Sequence, residues 1–206
     1  MNAIRILIAD DHKIVRTGLK VLLASEPDFQ VVGEADDGKS AVREALALRP
    51  DVVIMDLMMP GCDGEIATAA LKEKLPDTNV LVLTSYSSSD IIARALKAGA
   101  RGAVLKTTDD AELLSGIRKV AAGEEFLSKG VRRLMRCEPP TPQLTARQQE
   151  VLQSLTKGLT NADIARLLGI CEARVEEHVN AILTKVGAAN RTEAVAIALR
   201  KHLLKI

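Results

Sequence analysis

Hydrophobic and polar positions follow two patterns along the first 123 residues. Short apolar runs typical of buried strands occur five times, and each is followed by a segment with the apolar spacing of an amphipathic helix. The predicted strands are Ile4–Ala9, Gln30–Ala35, Val52–Met55, Val80–Thr84 and Gly102–Lys106. The predicted helices are Val15–Ser25, Lys39–Leu48, Gly64–Lys74, Asp90–Ala98 and Asp110–Gly123. This alternation predicts an α/β domain with a five-stranded, doubly wound parallel sheet.

From Leu144 onward only the helical pattern remains. Thr145 is expected to cap the first of these helices, with Gln148 completing a capping box. The four predicted helices are Ala146–Lys157, Asn161–Leu168, Glu172–Val186 and Thr192–Leu204. The second and third meet at Gly169, as in a helix-turn-helix. Residues 144–206 are therefore predicted to form a small all-α domain of four helices, in which Glu172–Val186 would enter the major groove of DNA.

Residues 124–143 follow neither pattern. This segment contains Arg132, Arg133 and Arg136 together with prolines 139, 140 and 142. Prolines stiffen an irregular chain and break helices. We interpret residues 124–143 as a linker between a first domain of residues 1–123 and a second of residues 144–206.

Charge is unevenly distributed between the two halves, although the formal net charge of the 206 residues is only +1. Thr141–Ile206 carries nine Lys/Arg and six Asp/Glu, whereas the first 140 residues carry 19 and 21. A basic C-terminal domain permits a nucleic-acid partner without requiring one.

The cysteines and the apolar runs indicate the cellular compartment of the protein. Cys62, Cys137 and Cys171 are odd in number and have no CxxC spacing, which favours neither a disulfide framework nor a zinc site. The N-terminal residues lack a signal-peptide pattern, and no apolar run reaches the length of a membrane span. We expect a cytoplasmic protein with no membrane partner.

Polar residues follow the predicted strands where ligands bind in open α/β sheets. Asp10 and Asp11 follow the first strand, Asp56 follows the third, and Thr84 and Lys106 end the fourth and fifth. Right-handed crossovers place all these strand ends on one edge. Three converging carboxylates would repel one another, so the arrangement favours a bound cation, and Mg²⁺ suits an open cluster of oxygen ligands. A hydroxyl and an ammonium group would complement a phosphoryl group on Asp56.

These residues closely resemble the receiver domain of bacterial two-component response regulators. The matching motifs are the acidic pair Asp10–Asp11, the D-x-x-M-P loop Asp56–Pro60, the pair Thr84–Ser85, and Lys106. The resemblance implies a flavodoxin-like fold in which Asp56 accepts a phosphoryl group from a sensor histidine kinase. It also implies that Asp11, Asp56 and the Met58 carbonyl hold Mg²⁺ while Asp10 assists through water. Where many relatives carry an aromatic switch residue, this chain has Ala103.

The C-terminal segment resembles the LuxR-type DNA-binding domain, and both halves together resemble the NarL/FixJ family. The matching residues are Leu144-Thr145, Glu150-Val151-Leu152, Gly158-Leu159-Thr160-Asn161, Ile164-Ala165, Leu167-Leu168-Gly169-Ile170, Val175, His178-Val179, Ile182-Leu183, Lys185, Gly187 and Arg191-Thr192-Glu193-Ala194. The resemblance implies a domain that dimerises largely through its last helix and binds paired half-sites, with homodimers forming on phosphorylation.

The helix Glu172–Val186 departs from the family where DNA contacts are expected. Helical geometry places Val175, Val179, Ile182 and Val186 toward the core and leaves the opposite face outward. The candidate DNA-binding residues are Arg174, Glu176, Glu177, His178, Asn180, Thr184 and Lys185. Relatives usually have lysine at positions 173 and 176, and glutamates are repelled by a phosphate-lined groove. Asn180, however, suits adenine, and glutamate can accept a hydrogen bond from cytosine.

Two other functions compete with a phosphorylation-controlled transcription regulator. The acidic helix is also consistent with an output domain that docks protein partners instead of DNA. Enzymes of the haloacid-dehalogenase type form an aspartyl-phosphate too, but they need a second acid two residues after the nucleophile, on the first strand. Here Met58 is in that place and the strand is the third, so that function is rejected and we expect a protein that is not an enzyme.

Overall fold

The computed structural model describes residues 3–59, 64–85, 88–141, 144–201 and 203–204. The chain divides into two compact units, Met1–Pro139 and Pro140–Ile206. Among the described residues, no helix has both the length and the apolar character needed to cross a membrane.

The first unit is a parallel sheet with helices on both faces. Its strands lie in the order β2-β1-β3-β4-β5-β6. They are β1 Ile4–Ala9, β2 Phe29–Ala35, β3 Val52–Met55, β4 Asn79–Thr84, β5 Gly102–Leu105 and β6 Phe126–Leu127. The helices are α1 Lys13–Ala24, α2 Gly38–Leu48, α3 Gly64–Lys74, α4 Ser89–Lys97, α5 Asp110–Ala121 and α6 Lys129–Cys137. The predicted flavodoxin-like fold is confirmed, with six strands instead of five.

Strand β3 lies inside the sheet, between β1 and β4, because both of its faces are apolar. Successive side chains of a strand point to opposite faces. Val53 and Met55 belong to the buried cluster on one face, and Val52 and Ile54 to the cluster on the other. The continuous apolar run places the residue after it, Asp56, at the carboxyl edge of the sheet.

The predicted linker is partly regular structure, which corrects the sequence interpretation. Phe126–Leu127 forms β6, which pairs with β5, and Lys129–Cys137 forms α6. The helix forms because Val131, Leu134 and Met135 have the spacing of an apolar helix face, and they pack against the core of the sheet. The cations between them obscured this periodicity. Residues 138–141 have no helix or strand, and residues 142 and 143 lie outside the described residues.

The described residues of the second unit form four helices, as predicted. They are α7 Ala146–Thr156, α8 Asn161–Leu168, α9 Glu172–Val186 and α10 Arg191–Arg200. Thr145 caps α7, and Gln148 completes the capping box. Helices α8 and α9 end at Gly169 and Gly187, whose φ values of 64° and 72° are left-handed and favour glycine. The last helix ends at Arg200, earlier than predicted.

Candidate functional site

Main-chain hydrogen bonds hold the polar strand ends at one edge of the sheet. The Asp10 N–H donates to the Ala35 carbonyl at 3.1 Å, and the Asp56 N–H donates to the Ala9 carbonyl at 2.8 Å. The Lys106 N–H donates to the Thr84 carbonyl at 2.9 Å. Each functional residue is thus attached to the neighbouring strand, so the positions of these backbones are set by the sheet itself.

Two carboxylates and one ammonium group meet at this edge. Lys106 Nζ lies 2.6 Å from Asp10 Oδ2 and 2.7 Å from Asp56 Oδ2. Asp10 and Asp56 are buried, with 2% and 4% of their surface exposed. The cation between them offsets the repulsion that two buried carboxylates would otherwise have.

Burial has opposite effects on the pKa values of Asp56 and Lys106. It raises the pKa of Asp56 above the ordinary value of 3.8, although Lys106 opposes this by favouring the charged form. The pKa of Lys106 is subject to burial, which lowers it, but the contacts with Asp10 and Asp56 outweigh burial and raise it. Asp56 is therefore a poorly solvated carboxylate beside a firmly protonated lysine, which is the environment of a chemically active acid.

The acidic residues have the donors of a divalent-cation site. Ligand atoms of Asp10, Asp11, His12 and Asp56 all lie within 4.8 Å of one another. Three of these four groups are carboxylates, whose hard oxygens fit Mg²⁺. Desolvation of Asp56 also favours a cation, because a cation stabilises its charged form. The residues present therefore fit Mg²⁺.

His12 was missed by the sequence analysis. Its Nδ1 lies 2.7 Å from Asp11 Oδ1 and 3.3 Å from Asp10 Oδ1, while the side chain is 66% exposed. A lone histidine has no spacing motif to identify it, and its position directly after the acidic pair was the only available signal.

Thr84 ends β4, the strand next to β3, and Met58 lies two residues after Asp56. Thr84 is fully buried at the end of β4, directly opposite Leu105 of β5. The Met58 N–H approaches Asp56 Oδ1 at 3.4 Å. The role of its carbonyl as a metal ligand stays a prediction. Pro60 and Cys62, from the predicted loop, lie outside the described residues.

Ala103 is where an aromatic switch residue was expected. It is fully buried on β5, and its carbonyl accepts a hydrogen bond from the Ser128 N–H at 3.1 Å. Ala103 shares a buried cluster with Val131 of α6. Helix α6 therefore packs against the same buried cluster to which Ala103 contributes.

The candidate DNA-binding residues of α9 differ in their surroundings. Arg174, Glu176, Glu177, Asn180 and Thr184 are exposed, whereas His178 and Lys185 are half-buried. Arg174 Nη1 lies 2.7 Å from Glu177 Oε2. Lys185 Nζ donates to Gln148 Oε1 at 2.8 Å, so Lys185 is attached to α7. Both basic side chains of α9, Arg174 and Lys185, thus already contact other side chains of the same domain.

Known families account for both units. A model of the response regulator receiver domain matches residues 6–118, and a model of bacterial regulatory proteins of the luxR family matches residues 142–198. The transcriptional regulatory protein LiaR of Bacillus subtilis is 39% identical over 209 residues, covering 98% of this chain and 99% of LiaR. The chain is a response regulator of the NarL/LuxR family.

Other relatives agree with this assignment. The response regulator VraR of Staphylococcus aureus is 37% identical over 207 residues, covering 98% of this response regulator and 99% of VraR. A structure of RcsB from Salmonella enterica serovar Typhimurium, bound to a promoter with a phosphomimetic, has a TM-score of 0.74 and 26% identity. It covers 97% of this chain and 99% of RcsB. The response regulator therefore has a receiver domain, of the type that binds Mg²⁺ at an acidic pocket, and a LuxR-type domain for transcription regulation.

Proposed function

We propose that this response regulator is switched by phosphorylation of Asp56. A sensor histidine kinase in the cytoplasm supplies the phosphoryl group from its phosphohistidine. The modified receiver then promotes homodimers, and the dimer binds DNA through α9. The observation that carries this proposal is the position of Lys106 Nζ, which lies within 2.7 Å of both Asp10 Oδ2 and Asp56 Oδ2 at the carboxyl edge of the sheet.

The receiver side chains have distinct tasks in this proposal. An Asp56 carboxylate oxygen attacks phosphorus while the bond to the kinase imidazole breaks, which gives an aspartyl-phosphate and a free histidine. Mg²⁺ bound by Asp11, Asp56 and the Met58 carbonyl would neutralise charge on the transferred group. Lys106, already beside Asp56, would pair with the phosphoryl oxygens. Thr84, at the neighbouring strand end, would donate its hydroxyl to the same group.

The output side of the proposal rests on the exposed face of α9. Asn180 and Thr184 are exposed on that face, where an amide and a hydroxyl can reach base edges. The structural relative RcsB has been seen on promoter DNA. We propose that Arg174, His178, Asn180, Thr184 and Lys185 supply the favourable DNA contacts, and that Glu176 and Glu177 restrict which sequences bind.

A protein-docking output domain is the second candidate. It is favoured by the charge of α9, which carries three glutamates against one arginine and one lysine. Both cations are also engaged, Arg174 by Glu177 and Lys185 by Gln148. A surface of this charge would suit a basic protein partner better than phosphates.

One experiment with two stages tests the proposal. Phosphoramidate and Mg²⁺ should add a single phosphoryl group, detected by intact mass, and EDTA should abolish the reaction. Asp56→Asn should stay unmodified, with Asp51→Asn as a control, because Asp51 is an exposed carboxylate before the same strand. The phosphorylated and unmodified proteins are then used to select duplexes from random DNA. Modification of Asp56→Asn at the wild-type rate would disprove the site, and selection of no duplex would disprove the output function.

A further inference from the structure

Helix α6 has a continuous row of cations on its solvent-exposed side. Its members are Lys129, Arg132, Arg133 and Arg136, which we call the α6 basic stripe. Their spacing of three, four and seven residues places them on one side of a helix. Val131, Leu134 and Met135 occupy the opposite side and pack against the core, so the stripe is fixed toward solvent.

The stripe carries uncompensated charge. All four residues are exposed, and α6 contains no acidic residue. Among the described residues, none of the four forms an ion pair with a carboxylate. Arg132 Nε donates to the Leu127 carbonyl at 2.9 Å, which orients that side chain. The main-chain N–H of Lys129 donates to Glu112 Oε1 at 2.8 Å.

The contrast with α9 indicates what the stripe binds. Helix α9 has more acids than bases, whereas α6 has four bases in nine residues. Most of the affinity of proteins for DNA comes from cations that neutralise phosphates, and α9 supplies few of them. A LuxR-type regulator with an acidic recognition helix therefore needs phosphate contacts from elsewhere in the chain.

The connection between α6 and the output domain is short. Seven residues, 138–144, separate the end of α6 from Thr145, which caps α7. Such a segment spans at most about 28 Å when fully extended. The length of the segment therefore sets an upper limit on how far apart two DNA contacts, one from each unit, can lie, and one turn of B-DNA is about 34 Å long.

We propose that the α6 basic stripe binds the phosphate backbone of duplex DNA beside the site that α9 occupies. This inference rests on the proposed DNA-binding function and extends it to a second, sequence-independent surface in the N-terminal unit. The stripe supplies affinity, because phosphates are the same in every sequence, and α9 supplies the sequence preference.

The test uses the full-length phosphorylated protein and the duplex selected for it. Lys129→Gln with Arg133→Gln removes two charges from the stripe and leaves its apolar side intact. Lys39→Gln with Arg43→Gln is the matched control, since it removes an exposed Lys/Arg pair of the same spacing from α2. Affinities are measured over a range of salt concentration, on the trimmed site and on a duplex with about 10 additional base pairs on each side.

On the longer duplex, the plot of log K against log salt should be less steep for the stripe variant by roughly 1.8, since each lost phosphate contact removes roughly 0.9 from the magnitude of the slope. The control pair should leave the slope at the wild-type value, and the stripe variant should select the same sequence. An unchanged slope with wild-type DNA affinity overturns the stripe. The proposal is also overturned if the stripe variant binds DNA as the wild type does but loses binding to vesicles of anionic lipid. That result would identify a membrane surface as the partner of the stripe. If the wild-type protein binds no duplex at all, the proposed function has failed rather than the stripe.

Discussion

The ammonium group of Lys106 lies 2.7 Å from the Asp56 carboxylate, and both groups are largely buried. The same ammonium group also lies 2.6 Å from Asp10 Oδ2, so it pairs with two carboxylates at once. If Asp56 is phosphorylated as proposed, the oxygen that Lys106 contacts becomes part of the acyl phosphate or its carbonyl, and we expect the contact to change. Because Lys106 directly follows β5, we expect such a change to be felt first at the end of that strand.

Lys106→Ala should affect stability and signalling differently. It leaves Asp10 and Asp56 buried without their cation, so the free energy of unfolding should fall by about 3–5 kcal/mol in metal-free buffer. Mg²⁺ should still bind, since lysine repels it, and should restore much of the lost stability. The phosphorylated variant should form fewer dimers in sedimentation velocity. Lys74→Ala, which removes an exposed charge from α3, is the control; an unchanged dimer fraction would contradict the role of Lys106.

Asp56→Asn should change how stability depends on pH. The folded protein raises the pKa of Asp56, so it binds the proton more tightly than the unfolded chain does. The free energy of unfolding therefore falls as pH rises from the ordinary pKa of 3.8 through the raised value. In EDTA the variant should be more stable than wild type at pH 7, on the order of 1 kcal/mol, with the difference closing near pH 3. Urea titrations check this, and a less stable variant at pH 7 would refute it.

Ala103→Phe should destabilise the receiver. Ala103 is fully buried, and α6 packs against the same cluster, so a phenyl ring has no space without displacing neighbours. Overpacking of this kind costs about 1–3 kcal/mol. Ala47→Phe, on the exposed side of α2, should change stability little. Equal stability of the two variants would mean that α6 readily yields to an aromatic switch.

Substitutions on α9 separate phosphate repulsion from base recognition. Glu176→Lys should strengthen DNA binding, because it replaces repulsion with one phosphate contact. The plot of log K against log salt should become steeper by roughly 0.9. Asn180→Ala should cost about 1–3 kcal/mol at the preferred sequence and little elsewhere. Glu73→Lys on α3 has the same charge change and should alter neither value. If both α9 variants bind every duplex as wild type does, the protein-docking alternative replaces DNA binding.

Most of the fold was predictable because its patterns are local. The strand β3 was found with its observed bounds, because a short apolar run rich in Val and Ile is typical of a strand with both faces covered. Motif spacing likewise identified Asp10, Asp56 and Lys106, which the sheet brings together. What the sequence could not supply were contacts between distant residues. The hydrogen bond between Lys185 and Gln148 crosses 37 positions, and no local pattern marks it.

The error in the linker has a different cause. Strand β6 has only two residues, too few for an alternating pattern, and it forms because β5 offers an unpaired edge. Helix α6 did have a local signal in Val131, Leu134 and Met135. Four cations and the prolines that follow outweighed that signal in the composition of the segment.

Strand β6 and helix α6 also determine which part of the gene can be exchanged between proteins as a unit. A receiver that ended at Gly123 would leave β5 as a bare edge and uncover the apolar residues that Val131 packs against. Exposed edges of this kind invite aggregation. Recombination that joins this receiver to another output domain should therefore succeed when the junction falls after Glu138 and fail when it falls after α5. We therefore expect the exchangeable domain to be the sheet together with α6. The α6 basic stripe would then stay with the receiver in every such exchange.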